Sequence, residues 1–284
     1  MISRNKGFFS FEFLVPILAF LFALVSVEIF YLSYVKPNAK DFLVKRQILM
    51  SQDSGSEFVR ERPVYIIIKD REPQMEIVFC LWGMIVLGYK FIQVTKERAL
   101  FKQDFVRVQP GERIIPEDAL DRYKELRTAV EREPRWRERL LPECLLAALY
   151  RFHASSSIQD AANAIRERAE IAGDRLDSQL SLVRYIAWAI PAIGFIGTVR
   201  GIGDALNFAE QAIHGDISSV TTGLGLAFNS TFVGLSMCIV LMFFLHMVQQ
   251  RQEAFVIETQ IYCRDKLIDT MKVPTKDETS DAFA

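Results

Sequence analysis

Several chemistries are missing from this chain. Its four cysteines, Cys80, Cys144, Cys238 and Cys263, stand apart from one another and match no zinc or dithiol spacing. No phosphate-binding glycine loop, nucleophile–base spacing or metal cluster occurs. The chain is therefore not expected to be an enzyme, nor to hold a metal or a cofactor. With 34 Lys and Arg against 35 Asp and Glu, it also lacks the basic excess of a nucleic-acid binder. Other absences are local. Residues 186–202 and 223–248 contain no Asp or Glu, and residues 203–222 contain no Lys or Arg. No cleavable leader is expected, because the first apolar block is too long for one and no small-residue cleavage site follows it.

What is present is apolar sequence in blocks separated by charged sequence with a helical pattern. Half of the residues are hydrophobic, and they concentrate at 11–35, 77–94, 186–202 and 223–248. A bilayer core takes about 20 mostly apolar residues per helical span. The expected fold is all-α: a polytopic membrane protein with four transmembrane helices, the last two extended into a cytoplasmic helical lobe. Residues 1–94 would hold two spans and an external loop at 36–75. Residues 95–182 would form the lobe, 183–248 a transmembrane hairpin, and 249–284 a C-terminal helix with a disordered tail after Pro274. Within 36–75, the β-branched run at 63–69 reads as a short strand. Within the lobe, Pro116 and the acids after it start one helix, Pro142 starts another, and Ser155–Ser157 offer caps for a third. That third helix shows no stop before Tyr185 and is expected to run on into the third span. Cys80 and Cys238, in apolar segments, are expected to be buried thiols.

Orientation follows from the basic residues. The 203–222 turn carries none and is expected outside, while 95–182 and 249–272 are rich in them and are expected inside, with both termini cytoplasmic. The 36–75 loop, with eight Lys and Arg, is the exception to this rule.

The last two blocks are not plain anchors. Gly194, Gly197 and Gly201 share one side of the third span, where missing side chains admit another helix, and Gly234 does the same in the fourth. Gly223 and Gly225 are expected to act likewise. Thr222, Asn229 and Ser236 recur every seven residues as a polar stripe. Ser230 and Thr231 adjoin it, and Thr198 falls at comparable depth in the third span. Such a lining could solvate a small cation, or it could simply hold helices together. Arg200 and Asp204 are four apart and are expected to pair at the outer mouth. An acid in the first span, Glu28, is expected to reach either the interface or a neighbouring helix. A proton carrier needs a titratable group in the membrane, and the third and fourth spans supply no acid. Either a partner brings the carboxylate or no protons are carried.

At Pro191-Ala-Ile-Gly-Phe-Ile-Gly-Thr-Val-Arg-Gly-Ile202 the chain resembles the Pro-x-x-Gly-x-x-Gly-Thr-Val-x-Gly-Ile signature of the MotA/TolQ/ExbB family of ion-driven motor subunits. Ala227-Phe-Asn-Ser-Thr-Phe-Val-Gly-Leu235 resembles the Ala-Thr-x-x-Gly-Leu pattern of that family's last span. Arg200 and Ser230 depart from the TolQ/ExbB branch, where Trp and Ala are frequent, and a span precedes the usual three. The resemblance implies that Thr198 and Thr231 line an ion path, with proton as the default ion and sodium as the alternative. It implies a homo-pentamer around a dimer of single-span partners like ExbD, TolR or MotB, whose Asp binds the ion. It also implies a bacterial inner-membrane location, and ion flow coupled to rotation or mechanical work. The competing reading is a non-conducting membrane scaffold or sensor whose polar stripe only packs helices.

Overall fold

The computed structural model describes residues 6–51, 63–106, 112–213 and 217–273. The described residues are helical with no strand ladder; Ile114 and Met271 form an isolated parallel bridge. Among the described residues four helices are long and apolar enough to cross a membrane: Leu14–Arg46, Arg71–Lys102, Ile158–Asn207 and Val220–Thr270. The chain divides into two compact units, one of residues 1–89 and 181–246, the other of residues 90–180 and 247–284.

In the first unit, α1 (Lys6–Phe30) passes through a π turn, Tyr31–Val35, into α2 (Lys36–Ser51). Tyr31 is fully buried there, and its hydroxyl donates to the Ile68 carbonyl at 2.7 Å. The Trp82 indole donates to the Pro16 carbonyl at 2.8 Å, so this amphipathic ring has its polar edge bonded within the helix packing. Glu28 reaches a neighbouring helix: Gln74 donates to its carboxylate at 2.5 Å, and Lys36 lies 3.6 Å away.

The strand expected at 63–69 is instead a single helical turn, α3 (Val64–Ile67). A lone strand would have no ladder for its backbone groups, whereas a turn bonds them locally, Ile66 N–H to Pro63 O at 2.9 Å and Ile68 N–H to Val64 O at 3.0 Å. Much of the expected 36–75 loop is thus helix. Residues 52–62 of it, and the expected tail from Pro274, lie outside the described residues.

The second span also begins earlier than its hydropathy suggests. Helix α4 (Arg71–Arg98) starts six residues before Ile77, with Glu72 in its first turn. Pro73 fits there because the first turn of a helix has no N–H partners to lose. The hairpin is formed by α8 (Ser181–Asn207) and α10 (Ser218–Lys266), with the short α9 (Ala209–Ile213) between them.

The second unit packs α5 (Pro116–Arg132), α6 (Leu140–Ser155) and α7 (Ile158–Ser178) with the C-terminal part of α10. Its core includes Leu141, Cys144, Leu145, Phe152, Ala161, Cys263 and Leu267, all fully buried. Ser157 caps α7, accepting from the Asp160 N–H at 3.2 Å. The helical run expected from 158 into the third span is present as Ile158–Asn207, with one tightened turn inside it. There Gln179 and Leu180 bond back to the carbonyls of Arg175 and Asp177, between α7 and the start of α8 at Ser181. Gly173 is passed without a break.

Candidate functional site

The site is built on the seam between α8 and α10. Gly223, Ala227, Ser230 and Gly234 form one buried row of α10, and Gly194, Gly197 and Gly201 a buried row of α8. A Cβ placed on Gly201 would lie 2.7 Å from both the Ala227 nitrogen and the Gly223 carbonyl oxygen. One placed on Gly223 would lie 2.8 Å from both the Ala205 nitrogen and the Gly201 carbonyl oxygen. The backbones therefore touch, and any side chain at these positions would push the helices apart. Gly194, Gly197, Gly201 and Gly234 all sit where another helix presses on them. Gly225 does not: no atom lies within 4 Å of its absent Cβ.

This closeness brings Thr198 and Thr231 together. Their hydroxyls are hydrogen-bonded to each other. The carbonyls of Gly194 and Ala227 lie within hydrogen-bond reach of both hydroxyls, 3.2 Å each from Thr198 and 3.3 and 3.4 Å from Thr231, and share the two hydroxyl protons with the pair itself. The result is a cluster of hydroxyl and carbonyl oxygens between two helices, the ligand type that can replace part of a hydration shell.

The other sequence-selected polar residues are placed differently. Ser230 faces Gly197 and is fully buried, and its hydroxyl has no hydrogen-bond partner. Thr222 is exposed and Asn229 half-buried; Ser236 bonds its own helix at the Phe232 carbonyl, 2.7 Å away. The row that packs on α8 is thus 223, 227, 230 and 234, not the 222–229–236 stripe. Cys80 is buried, whereas Cys238 is half-buried and donates to the Ala187 carbonyl at 3.2 Å.

Arg200 does not make the expected pair with Asp204. Its guanidinium reaches Glu72 of α4 at 2.6 Å. The physical reason is burial. Glu72 is 8% exposed, and a buried carboxylate without a counter-charge costs far more than an exposed i,i+4 pair returns.

Sequence reasoning missed Glu72 and Glu76. One turn beyond Glu72, Glu76 is fully buried, and neither of its carboxylate oxygens has a hydrogen-bond partner. Its Oε1 occupies the space left by two glycines: a Cβ on Gly194 would lie 3.0 Å from it, and one on Gly234 3.1 Å. The third and fourth spans hold no acid over residues 186–202 and 223–248, but the second places this one against them. The available signal was Glu72-x-x-x-Glu76 directly before an apolar run, which places both carboxylates on one helix face. Just ahead of α4, Asp70 is half-buried, and burial pushes its carboxyl above the ordinary carboxylate value; Lys69 and Arg200 counter this, and Glu72 adds to it.

No curated protein and no solved structure matches this chain. Residues 137–261 match a family model, and that stretch contains the seam with Thr198 and Thr231 but neither Glu72 nor Glu76. Four apolar helices and this match mark a multi-pass membrane protein. The signature at 191–202 and the match over 137–261 agree on one family, the MotA/TolQ/ExbB proton channel family.

Proposed function

We propose that the chain is the ring-forming subunit of an ion-driven membrane motor. Five copies surround a dimer of single-span partners, and protons moving down their gradient pass between ring and partner. The partner contributes an intramembrane Asp, and the Thr198–Thr231 cluster provides oxygens on the ring side. The lobe is cytoplasmic, the 203–222 turn is external, and the membrane is a bacterial inner membrane. One elementary charge crossing 100 mV yields about 2.3 kcal/mol, enough for successive ions to break and remake contacts between ring and partner.

The observation that carries this reading is the pairing of two threonine hydroxyls at a glycine-tight seam between helices that hold no Asp or Glu over residues 186–202 and 223–248. The scaffold reading draws on a different observation: each hydroxyl of the pair already has protein partners, as helix-packing hydroxyls do.

Purification of the chain from its native membrane, followed by native mass spectrometry, separates the two. The motor predicts five copies with two copies of a single-span protein bearing an intramembrane Asp. A sealed ring with no second polypeptide contradicts it and favours the scaffold.

A further inference from the structure

The most buried carboxyl side chain among the described membrane-helix residues has no assigned role. Glu76 has 0% exposure, and neither carboxylate oxygen has a partner. It lies outside the 137–261 stretch, so the family match says nothing about it. An ionised carboxylate in such a place costs several kcal/mol after relaxation, whereas a neutral carboxyl costs far less. The surroundings are built to receive it. Gly194 and Gly234 leave its Oε1 the space their side chains would take, and the Ser230 hydroxyl, equally buried and equally unbonded, lies on the same face of the seam against Gly197.

We propose that Glu76 is a proton-binding site within this chain, a carboxyl held between α4, α8 and α10 that takes up and releases a proton beside the threonine cluster. Gly194 links the two: its carbonyl lies within hydrogen-bond reach of Thr198 and Thr231, and its missing side chain admits Glu76. Access runs along the first turns of α4, where burial deepens from Asp70 to Glu72 to Glu76. The charges around Glu76 are few. Glu72 sits one turn back on the same helix, and α8 brings Arg200, already bonded to Glu72. The first span brings Tyr31, whose hydroxyl is committed to Ile68, and Glu28, which Gln74 and Lys36 hold. Helix α10 contributes no Asp, Glu, Lys, Arg or His between residues 220 and 245. Glu76 therefore has no cation of its own. A divalent ion would need more ligands: among the described residues no group of three or more His, Cys, Asp or Glu side chains could hold a metal.

The inference takes from the proposed function only that these helices lie in a membrane. Loss of the partner or of the five-fold ring would leave it standing. Its test is modification of the full chain, in native membrane vesicles, by dicyclohexylcarbodiimide, which reacts with protonated carboxyls in apolar surroundings. Adducts are located by peptide mass spectrometry across a pH series, with and without sodium at constant ionic strength. The proposal predicts an adduct at Glu76 whose rate falls about tenfold per pH unit above its midpoint, as the protonated fraction does. It also predicts indifference to sodium, and loss of that adduct alone in Glu76→Gln. Glu76→Asp, which keeps a carboxyl in the cleft, should remain reactive. A Glu76 that stays unmodified while lobe carboxyls react would overturn the proposal, since a carboxylate fixed only for packing does not exchange protons. Protection by sodium at fixed pH would overturn it in favour of a cation site.

Discussion

Thr198 on α8 and Thr231 on α10 share a hydrogen bond, and each also reaches the Gly194 and Ala227 carbonyls. The pair serves packing and polarity at once, and substitutions can separate the two. Serine keeps the hydroxyl, valine keeps the shape. Thr198→Val with Thr231→Val should leave assembly intact, because membrane hydrogen bonds average about 0.6 kcal/mol each. Motor output should fall in that variant and persist in Thr198→Ser with Thr231→Ser. Subunit count by native mass spectrometry, taken alongside the output assay, checks both halves.

Glycine substitutions report on the seam. Gly201→Ala puts a methyl 2.7 Å from backbone atoms of α10, which no rotamer change relieves. The hairpin must open, and thermal stability of the purified chain should fall despite the gain in helix propensity. Gly225→Ala meets nothing within 4 Å in this chain and should leave stability unchanged or raise it by up to about 1 kcal/mol. Equal effects at the two positions would contradict the packing described here.

The Arg200–Glu72 pair predicts a non-additive cycle. Arg200→Ala strands a carboxylate that is 8% exposed. The cost should be about 1–3 kcal/mol, toward the lower end because the Arg200 side chain is 45% exposed. Adding Glu72→Gln should recover part of it. Asp204→Asn should have no comparable effect. A double-mutant cycle in thermal denaturation measures all three.

In the lobe, Ser157→Ala removes the cap of α7 and should cost about 1 kcal/mol. Amide exchange in the first turn of α7 should quicken, while the α8–α10 seam keeps its protection.

Hydropathy and helix punctuation made much of the architecture legible before any coordinates. The four apolar blocks each overlap a helix long enough to span, and Pro116, Pro142 and Ser157 sit at or near helix starts. The Thr198–Thr231 pair was legible through its motifs. What escaped was three-dimensional. A β-branched run at 63–69 has strand propensity, but propensity cannot supply a second strand to pair with. Arg200 has an acid four residues away in sequence, yet the acid it meets comes from another helix and is more deeply buried. Glu76 was hidden because hydropathy marks where apolar sequence starts, while the backbone marks where the helix starts. Six residues separate the two, and the buried carboxylates lie within them.

The most direct test of the central claim is ion flux. The complex that copurifies with the chain, reconstituted into liposomes with an internal pH dye and an imposed potential, should admit protons. Thr198→Val with Thr231→Val should slow the flux at least about tenfold, a barrier change of about 1.4 kcal/mol, and the double serine variant should restore it. Flux in the valine variant equal to that of the unaltered chain would contradict the account.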